Sequence, residues 1–191
     1  MIVPGFADLR MHLATDAGQL DWMPSGATPY WAYAWAGGAA IAHHLLASPA
    51  LVEGRYVLDL GAGSGIAGIA ASLCGAAGVT AVDTDPLART ATALNAALNS
   101  VQVTVLADDL LDGPPVEGID LVLAGDVLYE RDLAARVVPF LDRCRTAGCE
   151  VLLGDPGRGF VPRNRILVVG EYGEDGVDDG PTTSAAVYAF R

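Results

Sequence analysis

Three glycines and an aspartate in the first half of the chain have the spacing of a cofactor-binding loop. The largely apolar run 57–60 leads directly into Gly61, Gly63 and Gly65, and Asp83 ends the next apolar run. Glycine has no Cβ, so the backbone can turn sharply and approach a ligand, while the helix that follows presents unpaired N–H groups. Asp83 follows at about the twenty-residue offset of a ribose-binding carboxylate. We therefore predict a site for a nucleotide-like cofactor, with a plain tight turn between strand and helix as the alternative.

The residues around the glycines argue against phosphate-bearing cofactors. A dinucleotide fingerprint needs Gly or Ala at its sixth position, where this chain has Ile66. No Lys follows the glycines, so the loop is not a phosphate-binding P-loop. Asp59, just before three alternating glycines, instead gives the loop a resemblance to motif I of the class I S-adenosylmethionine-dependent methyltransferases. The resemblance implies S-adenosyl-L-methionine as the cofactor and a role for Asp59 in the site that binds it.

The elements that must position this loop alternate along the chain between strand-like and helical patterns, as in a parallel sheet covered on both faces. The predicted strands are 56–60, 79–82, 101–106, 119–124 and 151–153. Two further β-rich runs, 166–172 and 185–190, joined by the acidic segment 174–180, should pair as an antiparallel hairpin at the sheet edge. The predicted fold class is α/β: a Rossmann-like seven-strand methyltransferase sheet, mostly parallel with an antiparallel C-terminal hairpin, and helices on both faces.

Two helices can be placed from caps and periodicity. Asp85 is predicted to be an N-cap and Pro86 the first helical residue, and the leucines at 87, 94 and 98 then recur at helical spacing with Ala91. A second helix is predicted over 133–144.

The length favours a single domain over 1–191, in which 1–50 would cover the cofactor and 51–191 would form the Rossmann-like core. We expect a monomer.

The charge of the chain limits its partners. The net charge of −12 repels polyanions and argues against a nucleic-acid substrate, since Arg158, Arg163 and Arg165 form the only basic cluster.

No apolar run is long enough to span a membrane, and the first ten residues have no signal or transit pattern, so we expect a cytoplasmic protein without a membrane partner. The three cysteines match no zinc or redox spacing and lie far from the histidines, which predicts no metal site.

Several motifs beyond the glycine loop give the chain a closer resemblance. They are PYWAYAWAGG at 29–38, VDTDP at 82–86, NAALN at 95–99, GDVLY at 125–129, GDPGR at 154–158 and TTS at 182–184. Together they resemble the protein-lysine methyltransferases that modify the electron transfer flavoprotein β subunit, and their bacterial relatives, over roughly residues 28–190. Asp-x-x-Tyr after the fourth strand is typical of the lysine-methylating branch. The GDPGR loop is typical of a still smaller group of these enzymes. Ala36 and Ala39 stand where the family usually has Pro and often Gln, a departure that bears on substrate preference.

The resemblance implies roles for the remaining cofactor-binding residues. Asp83 would accept hydrogen bonds from both ribose hydroxyls. Asp109 would accept one from the adenine amino group, although Asp108 is adjacent and the sequence does not separate the two. Helix capping or a solvated turn is the alternative for this pair.

The resemblance also gives roles to aromatic residues. Trp35 would lie against the cofactor, where its ring attracts a sulfonium by a cation–π interaction. Trp22 and Trp31 are expected to have packing roles. Tyr129 would form the wall of a lysine channel and offer a hydroxyl or a π face.

Asp126 is the predicted catalytic residue, together with Tyr129. It follows the run 120–125 at the carboxyl edge of the sheet, where open α/β sheets bind ligands. Methyl transfer needs a neutral amine, whereas a free lysine has a pKa of about 10.4 and arrives protonated. A nearby sulfonium disfavours the ammonium, so the proton can leave to water, and the Asp126 carboxylate then orients the amine and stabilises the charge that returns to nitrogen. In the alternative, Asp126 merely caps a helix begun by Val127.

The substrate is predicted to be a protein. Nucleic-acid amino methyltransferases of the same fold carry Asn/Asp-Pro-Pro-Tyr where this chain has Asp-Val-Leu-Tyr at 126–129. The resemblance implies the electron transfer flavoprotein β subunit, with a ribosomal protein as a neighbouring possibility. A small-molecule (nicotinamide-like) N-methyltransferase and a non-catalytic cofactor-binding module are the remaining alternatives.

Overall fold

The strands of the computed structural model, which describes residues 9–14, 29–173 and 184–191, form one seven-stranded sheet. The strands are β1 (Tyr56–Leu60), β2 (Gly78–Val82), β3 (Thr104–Leu106), β4 (Leu121–Gly125), β5 (Glu150–Asp155), β6 (Ile166–Tyr172) and β7 (Ala185–Phe190). The helices are α1 (Ala36–Ala47), α2 (Ile66–Leu73), α3 (Pro86–Leu98) and α4 (Arg131–Thr146), with short 3₁₀ turns at Tyr30–Ala32 and Pro49–Leu51. None of the helices in these ranges is both long and apolar enough to cross a membrane.

The sheet order is β3-β2-β1-β4-β5-β7-β6, and only β7 runs against its neighbours. Strands β1 to β5 pair in parallel. Apolar side chains are buried on both faces: Leu58 and Val122 pack with α4, whereas Val57 and Leu123 pack with α1 and α2. The predicted fold class is therefore confirmed, including the reversed C-terminal strand, while the connection 174–183 lies outside the described residues.

Helix α3 begins as predicted, and of the four residues that mark its periodicity only Ala91 is buried. The Asp85 carboxylate accepts the N–H of Leu87 at 2.8 Å, which confirms the N-cap. Leu87 and Leu94 are 37% and 56% exposed, so the leucine periodicity does not mark the packed side. The buried residues are Ala88, Ala91, Thr92, Asn95 and Ala96. This small and polar face lies against the glycine loop, where the Asn95 side-chain amide donates to the Ser64 carbonyl at 2.9 Å.

Strand β3 is shorter than the predicted 101–106. Only Thr104–Leu106 pairs with β2. Val101 and Val103 are instead used for packing against a core cluster that contains Ile69 and Ala96, and this explains their apolar character without any strand pairing. Helix α1 also packs on the sheet, although it lies within the segment 1–50 predicted to cover the cofactor; that division stays a prediction.

Candidate active site

A cleft of about 430 Å³ opens at the carboxyl ends of β1, β2 and β4. Eight of the ten predicted site residues line it: Trp35, Gly61, Gly63, Asp83, Asp108, Asp109, Asp126 and Tyr129. Asp59 and Gly65 do not. The fold thus brings the predicted cofactor half and the predicted catalytic half to one cavity.

The three glycines of the loop have positive φ angles of 67°, 55° and 84°, but their surroundings differ. A Cβ on Gly61 would meet Val127 Cγ1 at 2.9 Å, and one on Gly65 would meet Thr92 Cγ2 at 2.9 Å. In the part of the chain that the structure describes, a Cβ on Gly63 would approach nothing closer than 4.0 Å. Packing alone therefore accounts for glycine at 61 and 65, whereas Gly63 leaves space on the cleft side.

Asp59 lies beneath the loop instead of on the cleft wall. Its side chain is buried, and Oδ2 accepts the N–H of Gly68, the third residue of α2, at 2.8 Å. Burial raises the pKa of this carboxyl to about 7, and the Gly68 N–H opposes the shift. Asp59 thus caps a helix whose own N-cap position, Gly65, has no side chain to do so.

Asp83 is held at the end of β2 by two backbone groups. Its Oδ2 accepts the N–H of Gly63 and its Oδ1 accepts the N–H of Asp85, both at 2.9 Å. These bonds fix the carboxylate against the glycine loop. Each oxygen keeps a further lone pair, which can accept a ligand hydroxyl.

Asp108 and Asp109, which the sequence does not distinguish, differ in their contacts. Asp109 accepts the N–H of Leu111 at 3.2 Å and pairs with Arg136 at 2.9 Å, and Arg136 also binds Asp112. Within the described ranges the Asp108 carboxylate has no such partner, although it lines the same cleft. Asp109 therefore ties its loop to α4, and Asp108 is the acceptor that remains available to a ligand.

Asp126 does not cap a following helix, because α4 begins only at Arg131. The φ angle of Asp126 is 57°, a left-handed conformation that is uncommon outside glycine. Its Oδ2 accepts the N–H of Gly38, the third residue of α1, at 2.9 Å. Its Oδ1 binds Arg158 Nη1 at 2.7 Å. Burial raises the pKa of Asp126, while Arg158 and the Gly38 N–H act in the opposite direction.

Contacts between glycines bring α1 close enough to reach Asp126. A Cβ on Gly37 would lie 2.2 Å from the Gly154 carbonyl oxygen, and one on Gly154 would lie 2.1 Å from the Gly37 oxygen. A Cβ on Gly125 would lie 2.8 Å from the Cα of Gly38. The backbone of α1 therefore rests directly on the ends of β4 and β5. We call these four residues the glycine junction.

The sequence singled out the GDPGR loop but not the role of its charged residues. Asp155 is fully buried, and its Oδ1 accepts the backbone N–H groups of Gly157 and Arg158 at 2.8 and 2.6 Å. Arg158 Nη1 lies 3.1 Å from Asp155 Oδ2, so one nitrogen bridges Asp155 and Asp126. Arg165, also part of the predicted basic cluster, pairs with Asp142. Two of the three arginines are thus already neutralised.

Aromatic rings form the rim of the cleft near Asp126. The ring centroids of Tyr30 and Tyr129 are 5.3 Å apart, and those of Tyr30 and Trp35 are 5.9 Å apart. The Trp35 indole donates to the Tyr30 carbonyl at 2.6 Å. Burial raises the pKa of Tyr129, so its hydroxyl stays protonated at neutral pH. Tyr30 was not predicted, and its place beside Trp35 in the PYWAYAW motif was the available signal.

The two other tryptophans have different outcomes. Trp31 lines the cleft, whereas the sequence predicted only a packing role. Its indole nitrogen is buried with no hydrogen-bond partner among the described residues. Trp22 lies outside those residues.

Within the described ranges, no three His, Cys, Asp or Glu side chains are grouped so that they could hold a metal ion.

Solved structures share this fold at low sequence identity. A Pyrococcus horikoshii protein proposed to be an RNA methyltransferase matches with a TM-score of 0.63 and 20% identity, over 91% of this chain and 92% of its own. Magnesium protoporphyrin IX methyltransferase from Synechocystis, solved with S-adenosylmethionine bound, gives 0.58 and 19%, over 81% and 77%. The sheet order and these matches define the class I methyltransferase fold.

Sequence comparison narrows the class. The ribosomal protein L11 methyltransferase (PrmA) family matches residues 45–130. Electron transfer flavoprotein beta subunit lysine methyltransferases match over more of the chain: that of Danio rerio is 46% identical, over 68% of this chain and 51% of its own, and that of Rattus norvegicus 37%, over 85% and 67%. The Caenorhabditis elegans homolog is 31% identical, over 84% and 73%. The chain belongs to the electron transfer flavoprotein β subunit lysine methyltransferase family and spans about half to three quarters of the length of these relatives.

Proposed function

We propose that this protein transfers a methyl group from S-adenosyl-L-methionine to lysine in the electron transfer flavoprotein β subunit. The observation that carries the proposal is the position of Asp126. Its carboxylate reaches the cleft that Asp83 and the glycine loop also line, and the rings of Tyr30, Trp35 and Tyr129 lie on the rim of that cleft. The residues proposed to bind the cofactor and those proposed to bind the amine thus line one cavity, which supports the proposal.

The residues of the first half fit S-adenosyl-L-methionine, which supplies the methyl group when bound. Gly63 leaves open space, and Asp83 is fixed where both of its oxygens can accept ribose hydroxyls. The Asp108 carboxylate, which has no partner among the described residues, is suited to an adenine amino group. Asp59 supports this half from beneath through Gly68. We therefore assign Asp83 and Asp108 to direct contacts and Asp59 to holding α2.

The residues of the second half can bind and orient an amine. The Asp126 carboxylate attracts an ammonium and, once the proton has left to water, accepts a hydrogen bond from the neutral amine. That bond directs the nitrogen lone pair toward the methyl donor, and the carboxylate stabilises the charge that develops during transfer. Tyr30, Trp35 and Tyr129 line the same cleft, where a π face turned toward an ammonium would stabilise it.

The names of the relatives and the charge of the chain support a protein substrate. The relatives that cover most of this chain are named for lysine methylation of the β subunit. The net charge of −12 suits a lysine-rich loop better than a polyanion. A cytoplasmic location, a monomeric state and the absence of a nucleic-acid partner stay predictions.

Incubation of the purified protein with S-adenosyl-L-methionine and the β subunit from its own source tests the proposal. Intact-mass spectra should show steps of about 14 Da on the β subunit, and replacement of the modified lysines by Arg should abolish them. Asp126→Asn is the matched inactive control. An unmodified β subunit, under conditions in which another lysate protein is methylated on lysine, refutes this substrate and leaves the lysine methyltransferase proposal standing.

A ribosomal protein is the second candidate, because the family that matches residues 45–130 is named for ribosomal protein L11. Labelled cofactor and a lysate from a strain lacking the gene distinguish the candidates by the size of the labelled band. Nicotinamide and free amines, assayed in parallel, test the small-molecule alternative. A protein that retains the cofactor but forms no product nucleoside with any of these would be a non-catalytic binding module.

A further inference from the structure

The Asp126–Arg158–Asp155 cluster places a cation of the protein where the proposed substrate amine must bind. Arg158 Nη1 donates to Asp126 Oδ1 at 2.7 Å, and the Gly38 N–H donates to the other oxygen. Asp126 and Arg158 line the cleft, with 13% and 27% of their side chains exposed, whereas Asp155 lies behind them, fully buried. Both oxygens of the carboxylate are therefore engaged before any substrate arrives.

The charges of the cluster leave room for one more cation. Two carboxylates and one guanidinium carry a net charge of −1 in a largely buried place, where unbalanced charge is costly. An entering ammonium would bring the cluster to neutrality. Arg158 can leave Asp126 without becoming unpaired, because the same Nη1 lies 3.1 Å from Asp155 Oδ2 and its backbone N–H is bound to Asp155 Oδ1.

We infer that Arg158 is a positioning residue, which occupies Asp126 Oδ1 in the resting site, gives that oxygen up to the lysine amine and stays bound to Asp155. The inference rests on the proposed function. It assigns Arg158 two effects: it keeps Asp126 in place and ionised, and it is the cation that the substrate must displace.

Loss of the guanidinium should act on Asp126 more than on Asp155. Without Arg158, two buried carboxylates would face each other with no cation between them, and one would take up a proton near neutral pH. Among the residues that the structure describes, Asp155 Oδ1 accepts two backbone N–H groups, whereas Asp126 accepts one, from Gly38. The proton therefore goes to Asp126, and a protonated carboxyl no longer attracts the ammonium.

The variants Arg158→Met and Arg158→Lys test the inference, with Arg163→Met as an arginine control from the neighbouring exposed surface. At neutral pH, Arg158→Met should lower kcat about tenfold, and its kcat relative to the wild type should rise toward unity by about pH 9, where Asp126 is ionised in both proteins. At that pH its KM for the protein substrate should be equal to or below the wild-type value, because no cation has to be displaced. Arg158→Lys and Arg163→Met should show no such dependence on pH.

The ionisation of Asp126 provides a readout that does not depend on turnover. In ¹³C NMR, the Asp126 carboxyl, assigned by comparison with Asp126→Asn, should titrate at least about one pH unit higher in Arg158→Met than in the wild type. An unchanged midpoint, or a kcat loss by the same factor at every pH, would overturn the inference and leave Arg158 a structural residue. A wild-type protein that methylates no lysine would refute the proposed function instead, and the NMR midpoints would still decide the effect of Arg158 on Asp126.

Discussion

Asp59 and Asp126 bind equivalent backbone groups in two regions of the molecule. Asp59 accepts the N–H of Gly68, the third residue of α2, and Asp126 accepts that of Gly38, the third residue of α1. Neither helix has a side-chain hydrogen bond from its own N-cap residue. Each aspartate thus replaces a missing local cap with a carboxylate from the end of a neighbouring strand.

The two regions differ in what surrounds the second carboxylate oxygen. Asp59 is sealed beneath the loop, and its pKa is raised to about 7 by burial. Asp126 opens on the cleft and has Arg158 beside it, which opposes the effect of burial. The same capping arrangement therefore lies outside the cleft at Asp59 and on the cleft at Asp126, where a ligand can reach it.

The largest expected effect is on turnover, in Asp126→Asn. The change keeps the shape of the side chain but removes the charge that orients the amine, so kcat should fall by about 10²-fold or more, with little change in cofactor affinity. Asp59→Asn is the matched control and should keep kcat within about threefold. Steady-state kinetics on the two variants measures this difference. An equal loss of activity in both would contradict the different roles given to Asp59 and Asp126. Tyr129→Phe removes only a hydroxyl and should have a milder effect than Asp126→Asn.

Cofactor affinity should depend most on Asp83. Its carboxylate would make two charge-assisted hydrogen bonds to the ribose and also holds the Gly63 N–H, so Asp83→Ala should cost about 2–4 kcal/mol of binding free energy, a weakening of about thirtyfold or more. Calorimetry with the product nucleoside measures this. Equal affinity in the variant and the wild type would remove Asp83 from the site.

Asp59→Asn should change stability in a pH-dependent way. In the unfolded chain the carboxyl loses its proton above a pH of about 4, but in the folded protein only above about 7, so the cost of burying the charge grows between these values and is constant above them. Asn carries no charge at any pH. The variant should therefore gain about 1–2 kcal/mol over the wild type as pH rises from 4 to 7, since relaxation reduces the full effect of the shift.

Thermal unfolding at several pH values checks this expectation. The variant should melt about 4 °C higher than the wild type above pH 7, and the difference should vanish near pH 4. A constant difference across that range would show that the Asp59 carboxyl does not titrate as the burial of its side chain implies.

The smallest effect should separate Asp108 from Asp109. Loss of one hydrogen bond to adenine is worth about 1 kcal/mol, so Asp108→Asn should weaken cofactor binding about fivefold. Asp109→Asn, in contrast, should leave affinity within about twofold, because Asp109 is engaged by Arg136 and Leu111. Calorimetry that gives the reverse order would assign the adenine contact to Asp109.

The sequence predicted the features that depend on local chemistry. The Asp85 cap, the sharp turn at the glycines and the antiparallel C-terminal hairpin each depend on residues close together in sequence, and the structure agrees with all three. It did not predict which side of α3 is buried, because exposed leucines keep helical spacing while the packed side uses small residues. Nor could it reveal the Asp126–Arg158 pair or the approach of Gly37 to Gly154, since these contacts join residues that only the folded sheet brings together.

The glycine junction also limits how the site can be redesigned. No side chain separates α1 from the ends of β4 and β5 at Gly37, Gly125 and Gly154, so no substitution of these three residues can alter the spacing in small steps. One carbon added at Gly37, Gly125 or Gly154 must displace the helix and with it the Gly38 amide that holds Asp126. If the proposed function holds, the specificity for amines should be changed at Tyr30, Trp35 and Tyr129, with the glycine junction left unaltered.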